Sequence, residues 1–127
     1  MNRLLSFAAV TEALTGLALM AVPSIVGRLL FGAELSGVTV AVARVTGIAL
    51  VALGVACLPG GEAGRGLSGM LTYSLLATLY LVYLGLGGEW VGSLLWPAAA
   101  IHAALTFLLA IAWLKDRQFK QSKAHSD

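Results

Sequence analysis

The stretch SGVTVAVARVTGIALVALGVACL, residues 36–58, decides the fold. Only Arg44 is charged in it, and its apolar residues run on without the alternation that a barrel strand needs. About 20 apolar residues rising 1.5 Å each cross the roughly 30 Å of hydrocarbon in a bilayer. In that solvent every backbone N–H and C=O must be satisfied within the segment, so the stretch predicts a membrane-spanning helix.

Three further runs repeat the pattern, over residues 4–22, 67–86 and 94–114. Hydrophobic residues make up 59% of the 127-residue chain, charged residues 11%, and the mean hydropathy is +0.91. A water-soluble domain carries about 25% charged residues, so this chain has too few to cover a wet surface. The expected fold is an all-α membrane protein, an up-down-up-down bundle of four transmembrane helices forming a single membrane domain over residues 1–127. The first run resembles a secretory signal in its Arg3 and apolar stretch. Glu12 interrupts that stretch and no A-x-A site precedes a mature domain, so it is expected to stay as a helix.

The connections are short. Pro23 ends the first span, and Ser24 is placed to cap a short interfacial helix over residues 24–31, apolar at Ile25, Val26, Leu29 and Leu30 and stopped by Gly32. Pro59 to Gly66 reads as a flexible polar turn, Gly87 to Ser93 as a tighter one, and residues 115–127 as a solvated basic tail. Arg3, Arg65, Lys115, Arg117, Lys120 and Lys123 fall on one side of this topology and Arg28 alone on the other. By the positive-inside rule both termini face the cytoplasm, with Trp90 and Trp96 at the outer interface and Trp113 near the inner one. The tail accounts for most of the net charge of +2, so nucleic-acid binding is not implied.

Charged side chains inside a membrane are costly and turn toward the bundle interior. Glu12, Arg44 and His102 are three such residues. Glu12 lies ten residues before Val22, Arg44 eight after Ser36, and His102 eight after Leu94. At 1.5 Å per residue all sit roughly 12 to 15 Å below the outer edge. Tyr80, six residues before Leu86, lies within about a turn of the same level. Small residues share their stripes: Ala8, Ala9 and Gly16 with Glu12; Gly37, Ala41 and Gly47 with Arg44; Ala98 and Ala99 with His102. Such residues favour close helix packing in membranes.

Glu12, Arg44, His102 and Tyr80 are therefore the candidate ligand-binding residues. One reading makes them structural, a Glu12–Arg44 salt bridge completed by His102 and Tyr80 that fixes helix register. Another opens the layer as a pocket for a small molecule or a lipid headgroup. A third gives Glu12 or His102 proton-coupled work. Tyr73 and Tyr80 share a face with Ala77, which reads as packing. The lone Cys57 excludes a cysteine-pair mechanism, and Glu12 with His102 falls short of a metal site. No strand precedes a glycine-rich phosphate loop, no catalytic constellation is complete, and no cofactor is expected. The bilayer is the one sure partner; association of copies stays open.

The stretches Pro23-Ser24-Ile25-Val26-Gly27-Arg28-Leu29-Leu30-Phe31-Gly32, Ala43-Arg44-Val45-Thr46-Gly47, Leu94-Leu95-Trp96-Pro97 and His102-Ala103-Ala104-Leu105-Thr106 resemble the DoxX-like group of small four-helix bacterial membrane proteins. That resemblance implies the fold and a bacterial inner membrane, and little about activity. Glu12 with Gly16, Leu19 and Met20, and Thr46-Gly47-Ile48-Ala49, are similar to the small multidrug resistance transporters, which implies a proton-coupled homodimer with an essential glutamate. In that family the second motif stands on the third helix before Tyr and Trp. Here it lies on the second, before Leu50 and Leu53, where Arg44 can neutralise Glu12 and the charge bias opposes dual topology. The expectation is a small inner-membrane binding or accessory component, with a transporter, or a membrane enzyme acting on a lipid or quinone, as alternatives.

Overall fold

The computed structural model describes residues 2–58 and 63–124. It is all-helical, in the order α1 (Asn2–Ala21), α2 (Pro23–Phe31), α3 (Val38–Ala56), α4 (Ala63–Gly87) and α5 (Leu95–Ala124). Four of these helices, α1, α3, α4 and α5, are long and apolar enough to cross a membrane. No more than 28% of any such span is buried within the chain, so the outer faces need an apolar solvent of their own.

Local chemistry sets the breaks. Val22 leaves helical geometry (φ −134°, ψ 55°), and Pro23 opens α2 at a position where the missing N–H removes no bond. The cap thus stands at Val22 and not at Ser24, whose hydroxyl instead donates to the carbonyl of Leu35 at 3.1 Å. Gly32 ends α2 in the left-handed region at φ 70°, its N–H bonded to the Arg28 carbonyl at 3.0 Å. Arg28 also pairs with Glu34 across this bend. Before α3, the Ser36 N–H donates to Thr39 Oγ1 at 3.0 Å while the Thr39 hydroxyl donates to the Ser36 carbonyl at 2.6 Å.

One expected connection is shorter than the sequence suggests. Of the turn expected over Pro59–Gly66, residues 63–66 already form the first turn of α4, and residues 59–62 lie outside the described residues. The basic tail continues α5 as helix to Ala124, because no Pro or Gly follows Trp113 to stop it. Its helix carries an Asp116–Lys120 ion pair at 2.9 Å and places the Arg117 guanidinium 4.1 Å from the Trp113 ring centre.

The helices pack as two pairs. Helices α1 and α3 run antiparallel with their backbones close together. A methyl group added at Gly16 would come within 2.5 Å of the Gly47 carbonyl oxygen, and one at Gly54 within 2.6 Å of that of Ala9. Only glycine allows this approach. Helices α4 and α5 form the other pair, with Gly85 against the Trp96 ring. The pairs meet in a core of Leu5, Ala8, Ala9, Cys57, Leu67, Met70, Leu105 and Leu109, toward the start of α1 and α4. At the opposite end α2 is tied to the α4–α5 connection, where the N–H groups of Gly92 and Leu94 donate to the carbonyls of Leu30 (2.9 Å) and Leu29 (2.8 Å).

Candidate functional site

Between the core and α2 the two helix pairs enclose an open cleft of about 750 Å³. Its walls are apolar: Leu19 from α1, Leu29 and Leu30 from α2, Leu50 from α3, Leu76 and Leu81 from α4, Ile101 from α5. This follows from the packing, since the bulky side chains that close the core are grouped below it and the small residues Ala18, Ala77 and Ala98 line it.

The floor is polar. Glu12 is only 2% exposed, and the Tyr73 side chain interacts with its carboxyl. His102 Nδ1 lies 3.7 Å from Glu12 Oε1 and is buried with no hydrogen-bond partner among the described residues. The rings of Tyr73 and His102 meet edge to face, with centroids 5.7 Å apart and planes at 78°. Three helices thus supply one carboxyl, one phenol and one imidazole. Thr11, Thr15 and Thr46 also line the cleft, but their hydroxyls donate to the carbonyls of Phe7, Thr11 and Val42 within their own helices, each at 2.9 Å. Among the described residues no third His, Cys, Asp or Glu joins Glu12 and His102.

Of the four residues singled out from the sequence, the cleft collects Glu12, His102 and Tyr80. Tyr80 stands on the α4 wall, largely exposed and stacked on Tyr83 at 6.4 Å. Arg44 is not part of the layer, and the expected Glu12–Arg44 salt bridge is not formed. The buried face of α3 is Ala43, Gly47, Leu50 and Gly54, which leaves Arg44 exposed. Two residues before Thr46, it leaves the helix about 160° away from the cleft-lining side. It lies six residues into α3, about 9 Å along the axis.

Tyr73 takes the place that counting assigned to Tyr80. Depths measured from the outer ends misalign the helices, because α4 extends further past the layer than α1 does. Measured from their first residues, Glu12 and Tyr73 are each ten positions into α1 and α4. The shared face of Tyr73, Ala77 and Tyr80 was the signal for it.

No family model matches the chain, and neither does any curated protein or solved structure.

Proposed function

We propose that this chain is a small multi-pass inner-membrane protein that binds an apolar small molecule in the cleft, as a binding or accessory component. One observation carries the reading: a cavity of about 750 Å³ with apolar walls ends on the polar floor of Glu12, Tyr73 and His102. That combination of an apolar pocket with a few convergent polar groups is how ligand sites are built. A purely structural polar layer requires no cavity beside it. The lipid-headgroup version of the idea loses its phosphate, since no Lys or Arg lines the cleft.

The topology that goes with this reading is up-down-up-down with both termini cytoplasmic, since Arg3, Arg65, Lys115, Arg117, Lys120 and Lys123 gather at one end. The cleft then opens in the outer half of the bilayer, and membership of the DoxX-like group is the matching family proposal. The test is to purify the full chain in detergent, extract it with organic solvent and identify what is released by mass spectrometry. Wild type is expected to yield an apolar species enriched over bulk lipid and lost from Ala77→Trp, which fills the cleft. Identical extracts from the two proteins would sink the proposal.

A second reading, the proton-coupled transporter, gains from Arg44 standing apart from Glu12, which leaves a carboxyl in the cleft with no cation to neutralise it. Glu12→Gln is then expected to abolish proton-linked uptake in cells. Uptake at the wild-type rate would eliminate this alternative.

A further inference from the structure

The gap between Glu12 Oε1 and His102 Nδ1, 3.7 Å, is longer than an N–H···O bond of about 2.7–3.2 Å. It is short enough for a single oxygen atom to lie about 2.8 Å from both. Buried polar atoms nearly always have partners, yet His102 Nδ1 has none among the described residues. Tyr73 does not serve, because it meets His102 ring to ring. Thr11 and Thr15 donate within their own helix. An atom from outside the protein completes the pair by entering from the cleft, which requires the side chains that close off Nδ1 to move aside.

The chemistry of that atom is restricted. A hydroxyl has one donor and two lone pairs. It can donate to a carboxylate while accepting from Nδ1–H, or accept from a carboxylic O–H while donating to a bare nitrogen. A carbonyl or ether oxygen only accepts, so it serves both partners only when a carboxylic O–H and an Nδ1–H are present together, whereas a hydroxyl also serves a carboxylate or a bare nitrogen. A phosphate or carboxylate would bring negative charge beside Glu12 with no Lys or Arg in the walls. An ammonium can donate to both partners, but its full charge must be stripped of water among leucines, at far greater cost than a hydroxyl. The rest of the ligand faces Leu19, Leu30, Leu50, Leu76, Leu81 and Ile101. The volume of about 750 Å³ falls in the range of sites that hold small organic molecules.

We infer that the cleft binds a lipid alcohol, an uncharged amphiphile whose apolar body fills the cavity and whose single hydroxyl bridges Glu12 and His102. The inference rests on the binding reading above and names its ligand class.

The test uses the full chain in lipid nanodiscs, with tritiated farnesol as the probe and farnesyl methyl ether, farnesylamine and farnesyl phosphate as competitors. Farnesol is expected to bind saturably and about tenfold or more tighter than the ether, the value of one good hydrogen bond, with the amine and the phosphate weaker than farnesol. His102→Phe is expected to remove the difference between alcohol and ether while ether binding persists. The headgroup series on the unaltered protein decides the matter even where that variant fails to fold. Equal binding of alcohol and ether overturns the hydroxyl inference and leaves the binding cleft intact. Tightest binding by the amine overturns it in favour of a cation site. Absence of saturable binding by all four overturns it as well, and the extraction experiment then decides separately whether the cleft binds anything.

Discussion

Glu12 keeps its carboxyl inside the protein at 2% exposure, with the Tyr73 side chain beside it and no Lys or Arg against it among the described residues. Removing the phenol oxygen strands that carboxyl, so Tyr73→Phe is expected to lower unfolding stability in detergent by about 1–3 kcal/mol. Tyr80→Phe, on an exposed ring, should stay within about 0.5 kcal/mol of wild type. Arg44 gives the opposite result to the one its sequence position suggests. Arg44→Ala is expected to be near neutral, and combined with Glu12→Ala the two effects should add, since there is no shared contact to couple them. Non-additivity in a thermal-melt cycle would restore the salt bridge. Ser74 offers a gain: its hydroxyl is fully buried with no partner among the described residues. Ser74→Ala is expected to stabilise the protein by about 1 kcal/mol, read as a rise in Tm.

Element by element, the sequence was most legible where one residue dominates the backbone. Pro23 and Gly32 bracket α2, as their restricted and permissive φ angles require. The apolar runs anticipated α1, α3, α4 and α5 because length and hydropathy are properties of the chain alone. Less legible was the rotational setting of α3. The stripe drawn through Gly37, Ala41, Arg44 and Gly47 is displaced from the face that packs, Ala43, Gly47, Leu50 and Gly54. Both stripes contain small residues, and only contact with α1 distinguishes them. Gly47→Leu tests that contact. The added side chain must displace the Gly16 carbonyl, so α1 and α3 are expected to separate, with a loss of about 1–3 kcal/mol. Ala49→Leu, on the exposed side of the same helix, is the control and should leave the melting temperature unchanged.

For the whole molecule, the two helix pairs join at a core near one end and part around a cleft at the other. The proposed orientation across a bilayer rests on the charges at those ends. In a Cys57→Ala background, a cysteine at Glu34 is expected to react with a membrane-impermeant maleimide from outside intact cells. One at Gln118 should react only after the membrane is opened. The reverse pattern would invert the proposed topology.

Hydropathy and chain length were enough for four apolar helices, since transfer of apolar side chains from water depends on composition and not on neighbours. Glu12 and His102 could likewise be picked out as interior residues, because a charge in hydrocarbon has few other places to go. The partner of Glu12 was decided by tertiary structure. That choice depends on how far each helix slides and turns against the next, and close glycine contacts between α1 and α3 set both for Arg44. Parallel alignment of α1 with α4 brought Tyr73 to the carboxyl in place of Tyr80. The cleft belongs to the same level, for it exists only where two packed pairs fail to touch.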